Sequence, residues 1–165
     1  MRGARVCDCG SVNPKCAAAP TAMNCPVNGS RCRQVDILTV RSLVRHLPLG
    51  MPTTQYYFCQ ASGCDVVYFA SDPQAPVFRR SDLLVRVGAK EESGPAPICY
   101  CFGFTRQDIW NEIHATGKPT IAERIAAEVR AGDCACQVKN PSGKCCLSEV
   151  RRIADRARPL RGKPA

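Results

Sequence analysis

Thirteen cysteines in a chain of 165 residues constrain the fold more than any other feature of this sequence. Four of them lie in one short stretch, GDCACQVKNPSGKCC, at positions 132–146. A thiol cluster of this kind is typical of disulfide bonds, of a redox-active dithiol or of ligands for a soft metal. The remaining sequence discriminates among these three alternatives.

The expected compartment favours metal binding. No apolar run approaches the roughly 18–20 residues that a membrane-spanning helix needs. The amino terminus, MRGARVCDCGSVNPKC, is basic and lacks the apolar region of a secretory signal. We therefore expect a cytoplasmic protein without membrane insertion. Because cytoplasmic thiols are kept reduced and the number of cysteines is odd, metal ligation is favoured over a disulfide framework.

The formal net charge of +9 at pH 7 raises the question of a nucleic-acid partner. Thiolates that bind a metal carry negative charge, so the formal value overstates the real one. Aromatic residues make up only 6% of the chain, and none alternates with the basic residues as a stacking platform for bases requires. We expect the basic residues to form a solvated surface, and nucleic acid is not an expected partner.

Composition and periodicity predict an α+β fold made of two small subdomains. The first, residues 25–90, combines a β-hairpin with a helix, and the second, residues 98–157, is helical. A linker rich in proline and glycine, residues 91–97, separates them. A cysteine-containing extension, residues 1–24, precedes the first subdomain, and a basic tail, residues 158–165, follows the second.

The first subdomain contains a clear hairpin pattern. In QYYFCQASGCDVVYF, two aromatic and β-branched runs flank a cysteine loop, which predicts a β-hairpin with Gly63 near its tip. The segment APVFRRSDLLVRVG predicts one or two further short strands. Upstream of the hairpin, Val40, Leu43, Val44 and Leu47 have the spacing of a helix.

The second subdomain has helical periodicity. Thr105 is suited to cap a first helix that ends at Gly117, and Thr120 is suited to cap a second that ends at Gly132. A third amphipathic helix is predicted from a repeat of apolar residues. These residues are Leu147, Val150, Ile153 and Ala157.

Two loops carry the cysteines of this subdomain. One precedes the first helix, and the other lies between the second and the third. Because the amino terminus of a helix offers N–H groups and a positive dipole end, thiolates beside it are stabilised. Four thiolates from converging loops suit an iron–sulfur cluster, but zinc accepts the same ligands, and the spacing leaves both open. The cysteines are Cys99 and Cys101 in the first loop, and Cys134, Cys136, Cys145 and Cys146 in the second.

Several motifs carry a resemblance to a known family. The segments YYFCQASGCDVVYF, VFRRSDLLVRVGAKE and CYC…ACQVKNPSGKCC occur in the order found in the amino-terminal domain of archaeal CopZ-type copper chaperones. The chain resembles that domain from about Cys25 to Val150. The C-x-C pair, two helices and cysteine loop are also similar to bacterioferritin-associated ferredoxins. The resemblance implies a [2Fe–2S] cluster in the helical subdomain and a mononuclear Zn²⁺ in the first.

The resemblance also implies the cluster ligands. Carried over to this sequence, they are Cys99, Cys101, Cys136 and one member of the adjacent pair. Cys146 is preferred, with Cys145 as the alternate. Cys134 could take the place of Cys136, because the two form a second C-x-C pair.

For the zinc site, the resemblance implies two cysteine knuckles. Cys59 and Cys64 match one of them as C-x4-C, but the other, C-P-x-C in the family, has Asn28 at its second cysteine position. A structural zinc needs four N or S ligands, so another cysteine must complete the set. The expected ligands are Cys25, Cys32, Cys59 and Cys64, with Cys7, Cys9 or Cys16 of the extension as alternatives to Cys32. The departure at Asn28 also leaves open a site for another soft metal, such as Cu⁺.

The implied function is copper handling. We expect one-electron transfer through the cluster, in support of Cu(II) reduction to Cu(I) or of Cu(I) binding and transfer. The sequence contains no M-x-C-x-x-C copper-binding loop. The expected partners are therefore a copper-carrying chaperone domain or a copper-transporting ATPase on another chain, and an electron donor.

A second class of function remains open. The chain would then be a zinc-stabilised adaptor, or a cluster scaffold or sensor, without an electron-transfer role. No G-x-G-x-x-G, P-loop or H-E-x-x-H pattern is present, so beyond a metal-reductase activity the sequence does not predict an enzyme.

Overall fold

The computed structural model describes residues 19–157; Cys7, Cys9 and Cys16 and the predicted basic tail lie outside these residues. Seven strands and five α-helices follow one another along the described residues. They are β1 (Ala22–Asn24), β2 (Arg31–Val35), α1 (Ile37–Leu43), β3 (Tyr56–Phe58), β4 (Val66–Ala70), β5 (Phe78–Arg79), β6 (Pro97–Cys99), β7 (Phe104–Thr105), α2 (Arg106–Thr116), α3 (Thr120–Ala131), α4 (Cys136–Lys139) and α5 (Leu147–Ala157).

The first half of these residues is built on a five-stranded antiparallel sheet with the order β1-β2-β3-β4-β5. The predicted hairpin is confirmed as β3 and β4, in which Tyr57 lies opposite Phe69 with their rings stacked 5.6 Å apart. Such aromatic cross-strand pairs stabilise antiparallel strands. The edge strand β1 comes from residues that the sequence assigned to the extension.

Helix α1 is shorter than its apolar pattern suggested. The Asp36 carboxylate caps its first turn, but the helix ends at Leu43. The prediction that its apolar face continues to Leu47 is wrong, because Val44 adopts an extended conformation and pairs with Leu83 in an isolated β-bridge. Leu47 is 41% exposed.

A first hydrophobic core lies between α1 and the sheet. Its members include Val40, Tyr56, Val67 and Tyr68, each completely buried. The β-branched and aromatic residues of β3 and β4 therefore cover one side of the core and α1 covers the other.

A second core lies among α2, α3 and α5. Ile109, Ile125 and Val150 are at most 1% exposed there. The predicted helix ends are confirmed at Gly117 and Gly132, which have the positive φ angles of left-handed caps. The α+β prediction is confirmed at the level of an antiparallel sheet combined with several helices. No helix within residues 19–157 is long and apolar enough to cross a membrane.

The predicted cap of α3 is displaced by one residue. Thr120 is the first residue of the helix, and Pro119 occupies the cap position without a side-chain hydrogen bond. Instead, the Glu112 carboxylate of α2 accepts hydrogen bonds from the Thr120 hydroxyl and, at 2.8 Å, from the Ile121 N–H. A tertiary contact thus replaces the local cap.

The two halves pack directly against each other. The short helix α4, which the sequence did not predict, lies on α1, and the Thr39 hydroxyl donates to the Gln137 carbonyl at 2.6 Å. The buried Tyr68 hydroxyl donates to the Pro141 carbonyl at 2.8 Å. Gly143 has a φ of +67°, and a Cβ atom there would lie 2.8 Å from the Thr39 hydroxyl oxygen, so this close approach requires glycine.

A pair of tyrosine variants tests this interface. Tyr68→Phe is expected to lower the free energy of unfolding by about 1–2 kcal/mol, because it leaves the buried Pro141 carbonyl without its donor. The matched control is Tyr56→Phe, since the Tyr56 hydroxyl is buried without a hydrogen-bond partner within residues 19–157. That change is expected to leave stability unchanged or slightly higher. Denaturant titration of the metal-loaded proteins measures both, and equal losses would contradict the interface as described.

Candidate metal centres

Three cysteines of the first half converge on one buried point. The Sγ atoms of Cys25, Cys59 and Cys64 all lie within 4.8 Å of one another. The Cys25 and Cys64 sulfurs are 3.9 Å apart. Zn–S bonds of about 2.3 Å in a tetrahedral site put sulfurs about 3.8 Å apart. We call this group, together with Cys32, the first thiol site.

Tight turns position these three thiols. The Cys25 N–H donates to the Ser30 carbonyl at 2.8 Å, and the Gly29 N–H donates to the Cys25 carbonyl at 2.9 Å, with a φ of +70° at Gly29. In the loop between β3 and β4, the Cys64 N–H donates to the Ala61 carbonyl at 3.2 Å. Both turns direct thiols toward the same interior point.

Cys32 lies beside this group without joining it. It is 2% exposed on β2, and its thiol donates to the Ser30 carbonyl at 3.2 Å. The Ser30 hydroxyl lies 3.8 Å from the Cys32 sulfur and 3.7 Å from the Cys59 sulfur. One serine side chain therefore lies within contact of both cysteines.

Asn28 also contacts the first thiol site. Its side-chain amide is 3.7 Å from the Cys59 sulfur and donates to it, while its carbonyl oxygen accepts from the Ser30 N–H at 2.9 Å. At the position where the C-P-x-C pattern has a cysteine, this chain therefore has a hydrogen-bond donor to a thiol.

The thiols of this site differ in acidity. Burial opposes ionisation of Cys59, but hydrogen bonds from the Ala61 N–H and the Ser30 hydroxyl, together with the Lys90 charge, lower its pKa to about 7. Burial raises the pKa of Cys32 to about 11, and the neighbouring Cys59 contributes to the increase. Cys59 is therefore prepared to bind a metal as a thiolate, whereas Cys32 requires a cation to replace its proton.

The second half contains another thiol group, which we call the second thiol site. Cys99 ends β6, Cys101 follows it, Cys136 begins α4 and Cys146 immediately precedes α5. The Cys101 and Cys136 sulfurs lie 3.6 Å apart. Cys99 and Cys146 form the other pair, in which the Cys146 thiol is the main influence that lowers the pKa of Cys99.

Backbone N–H groups point at these sulfurs. The Ala135 N–H donates to the Cys101 sulfur at 3.3 Å. The hydrogen bond from the Cys146 thiol and those from the Phe102 and Cys101 N–H groups outweigh burial and lower the pKa of Cys99 to about 6. Burial and the neighbouring Cys101 raise the pKa of Cys136 to about 12. The site therefore favours the thiolate form of Cys99 and disfavours that of Cys136.

Comparison with known proteins identifies the fold. A model of the CopZ zinc-finger family, described as a zinc binding domain, matches residues 22–84. Copper chaperone CopZ of Archaeoglobus fulgidus is 34% identical over 131 residues, which are 79% of this chain and 61% of that protein. The X-ray structure of the N-terminal domain of that CopZ matches with a TM-score of 0.64 and 35% identity, over 79% of this chain and 97% of the domain. This chain belongs to the CopZ N-terminal domain family.

The CopZ resemblance seen in the sequence is thereby confirmed. The family model covers all four cysteines of the first thiol site and ends before the second. The chain spans about 61% of the length of the CopZ protein that it matches. The [2Fe–2S] cluster stays a prediction for this member of the CopZ family.

Burial separates the alternative ligands of the second thiol site in this CopZ-family chain. Cys136 and Cys146 are 8% and 5% exposed, whereas Cys134 is half-buried and Cys145 is exposed. The two cysteines that the sequence analysis preferred, Cys136 over Cys134 and Cys146 over Cys145, are therefore the more buried ones.

Sequence reasoning missed two residues of the first thiol site. Ser30, which contacts two of its thiols, was not singled out, because serine in a turn is common. Lys90 was the last residue of the predicted first subdomain, next to the polar linker, yet it is 2% exposed and its ammonium donates to the Ala61 and Cys64 carbonyls at 3.0 and 2.9 Å. Nothing in the surrounding sequence distinguishes a buried lysine from an exposed one.

Proposed function

We propose that this chain is a metal-binding protein of copper handling, with Zn²⁺ in the first thiol site and a [2Fe–2S] cluster in the second. The observation that carries the proposal is the contrast between the spacing of the thiols in the two sites. One is compact around a single point, and the other consists of two separate pairs.

The donor set of the first thiol site fits zinc. Cys25, Cys59 and Cys64 supply three sulfurs at spacings suited to a tetrahedral ion. Cys32 is buried beside them, and rotation of its thiol away from the Ser30 carbonyl adds the fourth ligand. The zinc ion then stabilises the edge of the sheet, where the surrounding core consists largely of the cysteines themselves.

The arrangement of the second thiol site favours a two-iron core. Each iron of a [2Fe–2S] cluster takes two protein ligands, and the pairs Cys101–Cys136 and Cys99–Cys146 supply two such sets. Within residues 19–157, Cys25, Cys59 and Cys64 are the only group of three or more candidate ligands within 4.8 Å. The thiols of the second site are therefore spread more widely than a mononuclear ion requires.

The [2Fe–2S] cluster would supply one-electron exchange, and the protein supplies its environment. The Ala135 N–H and the other backbone donors stabilise negative charge on the sulfurs, which is the means by which a protein adjusts the potential of such a site. Cys101 is half-buried and is the most accessible of the four preferred ligands. A redox partner is therefore expected to approach at the turn that contains it.

The copper assignment derives from the relative, whose name is copper chaperone CopZ. Reduction of Cu(II) to Cu(I) requires one electron for each ion, which a reducing partner protein delivers through the second thiol site. The Cu(I) passes to a copper-carrying chaperone domain or a copper-transporting ATPase on another chain. The zinc half serves as the rigid support of this exchange.

Metal analysis tests the proposal. The protein is purified without oxygen, and iron, zinc, copper and acid-labile sulfide are measured beside the visible spectrum before and after dithionite. About two irons and two sulfides for each chain, about one zinc and a colour that bleaches are expected. A colourless protein that holds only zinc would contradict the electron-transfer part and favour a zinc-stabilised adaptor.

A rescue experiment tests the fourth zinc ligand. Cys32→Ser is expected to weaken zinc binding at least about 100-fold, because it leaves three thiolates. Adding Asn28→Cys to that variant rebuilds the C-P-x-C pattern next to Cys59, and zinc affinity is expected to recover. Competition with a chromogenic chelator measures both. Unchanged affinity in Cys32→Ser would rule out Cys32 as a ligand.

A further inference from the structure

Lys90 is the one charged side chain that is buried within residues 19–157. It ends the short 3₁₀ turn Gly88–Lys90 and is 2% exposed. Its ammonium donates hydrogen bonds to the carbonyls of Ala61 and Cys64, both in the loop that carries two thiols of the first site. Lysine is rarely buried unless it is paired, so its presence here needs an explanation.

Carboxylates do not provide the balancing charge. Within the described part of the chain, no carboxylate forms an ion pair with Lys90. Three carboxylates line the hollow beside it, those of Asp65, Glu91 and Glu92. Asp65 and Glu91 pair with Arg79 and Arg86 at 3.3 and 2.8 Å, and Glu92 is exposed to solvent and forms no ion pair within residues 19–157. The two carbonyl acceptors of Lys90 are neutral. A buried ammonium without an anionic partner is costly, which points to another source of negative charge.

The first thiol site is that source. The carbonyls bonded to Lys90 are those of Ala61 and Cys64, which lie between and at the two thiol residues of the loop, so the ammonium lies beside the site. Zn²⁺ held by four thiolates has a net charge of about −2. One buried ammonium would offset about half of that charge.

We propose that Lys90 is the counter-cation of the first thiol site and a positioning residue for its Cys59–Cys64 loop. The inference rests on the proposed zinc function. Lys90 neutralises part of the negative charge of the loaded site, and its two hydrogen bonds keep the loop in the conformation that directs both thiols inward. It binds no metal itself.

A matched pair of variants separates charge from simple bracing of the loop. Lys90→Gln keeps a hydrogen-bond donor and removes the charge. Arg80→Gln is the control, because Arg80 is also a cation that donates to a carbonyl of the same loop, that of Ser62, but it is half-buried. Lys90→Arg retains the charge in a larger side chain and serves as the rescue variant.

Zinc affinity is measured by chelator competition, and the Co²⁺-substituted proteins report the thiolate charge-transfer bands. Lys90→Gln is expected to lower affinity about 10–100-fold, as loss of a supporting residue does at other metal sites. Arg80→Gln is expected to change it by less than about threefold, since a half-buried charge that reaches solvent is screened by water. Lys90→Arg is expected to retain more affinity than Lys90→Gln, with the Co²⁺ bands of the native protein.

The affinities of these variants test the counter-cation role of Lys90 as follows. Equal losses in Lys90→Gln and Arg80→Gln, or native affinity in Lys90→Gln, would overturn the counter-cation role. If Lys90→Gln fails to fold with excess zinc while Lys90→Arg folds and binds it, the charge is required, and failure of both would overturn the proposal. A native protein that binds no zinc would instead refute the proposed function of the site.

Discussion

Replacing Cys59 with serine is expected to remove zinc from the protein and to unfold the edge of the sheet around β1, β2 and the loop between β3 and β4. Cys59 is completely buried and lies within 4.8 Å of two other thiols. The core around it contains few other apolar side chains, chiefly Tyr57, Val66 and Phe69. Since a structural metal contributes its binding free energy to folding, we expect a loss on the order of 5 kcal/mol.

Zinc content of the purified variant and its denaturant unfolding measure this effect. Cys134→Ser is the matched control, because it also replaces one cysteine by serine. Cys134 is half-buried and lies in the other half of the molecule. That variant is expected to keep its zinc and its stability. One zinc for each chain in purified Cys59→Ser would show that the metal is held elsewhere.

Replacing Cys136 with serine is expected to abolish the visible chromophore while zinc remains bound. Cys136 is buried and lies 3.6 Å from Cys101, so its loss leaves one of the two thiol pairs incomplete. Serine binds the iron of such clusters poorly because its oxygen is a harder ligand than a thiolate. Iron and sulfide content, visible absorption and zinc content are measured on one preparation.

The neighbouring cysteines provide controls of the same chemistry. Cys134→Ser is expected to retain the chromophore, and so is Cys145→Ser, whereas Cys146→Ser is expected to lose it. Cys145 is exposed and Cys146 is 5% exposed, so only the latter faces the other thiols. A chromophore that survives in Cys136→Ser and disappears in Cys134→Ser would move the ligand to Cys134.

The contact between the halves links these two predictions. Helix α4 begins at Cys136 of the second thiol site and packs on α1 of the zinc-binding half. The Thr39–Gln137 and Tyr68–Pro141 hydrogen bonds join the same surfaces. Loss of zinc is therefore expected to destabilise the second thiol site. Loss of the cluster is expected to affect the sheet less, because the sheet retains its own core of aromatic residues.

Local patterns in the sequence determined the main elements of this protein. The β3–β4 hairpin followed from alternating aromatic and β-branched runs, and the ends of α2 and α3 followed from Gly117 and Gly132, because only glycine adopts those φ angles easily. The cysteine loop at the tip of the hairpin and the two cysteine loops of the second half were also visible, since they depend on spacing along the chain. The CopZ resemblance rested on the same motifs.

Only the tertiary structure decided how the two halves combine and which side chains surround the thiols. Adjacent residues such as Cys145 and Cys146 have nearly the same local sequence. Only the packing of the helices makes Cys146 buried and leaves Cys145 exposed. Lys90 and Ser30 contact the first thiol site through loops that meet only after folding, so no local periodicity marks them. The cap of α3 likewise comes from a glutamate in α2. Spacing predicts what a segment becomes, but the contacts between distant segments depend on packing that spacing does not encode.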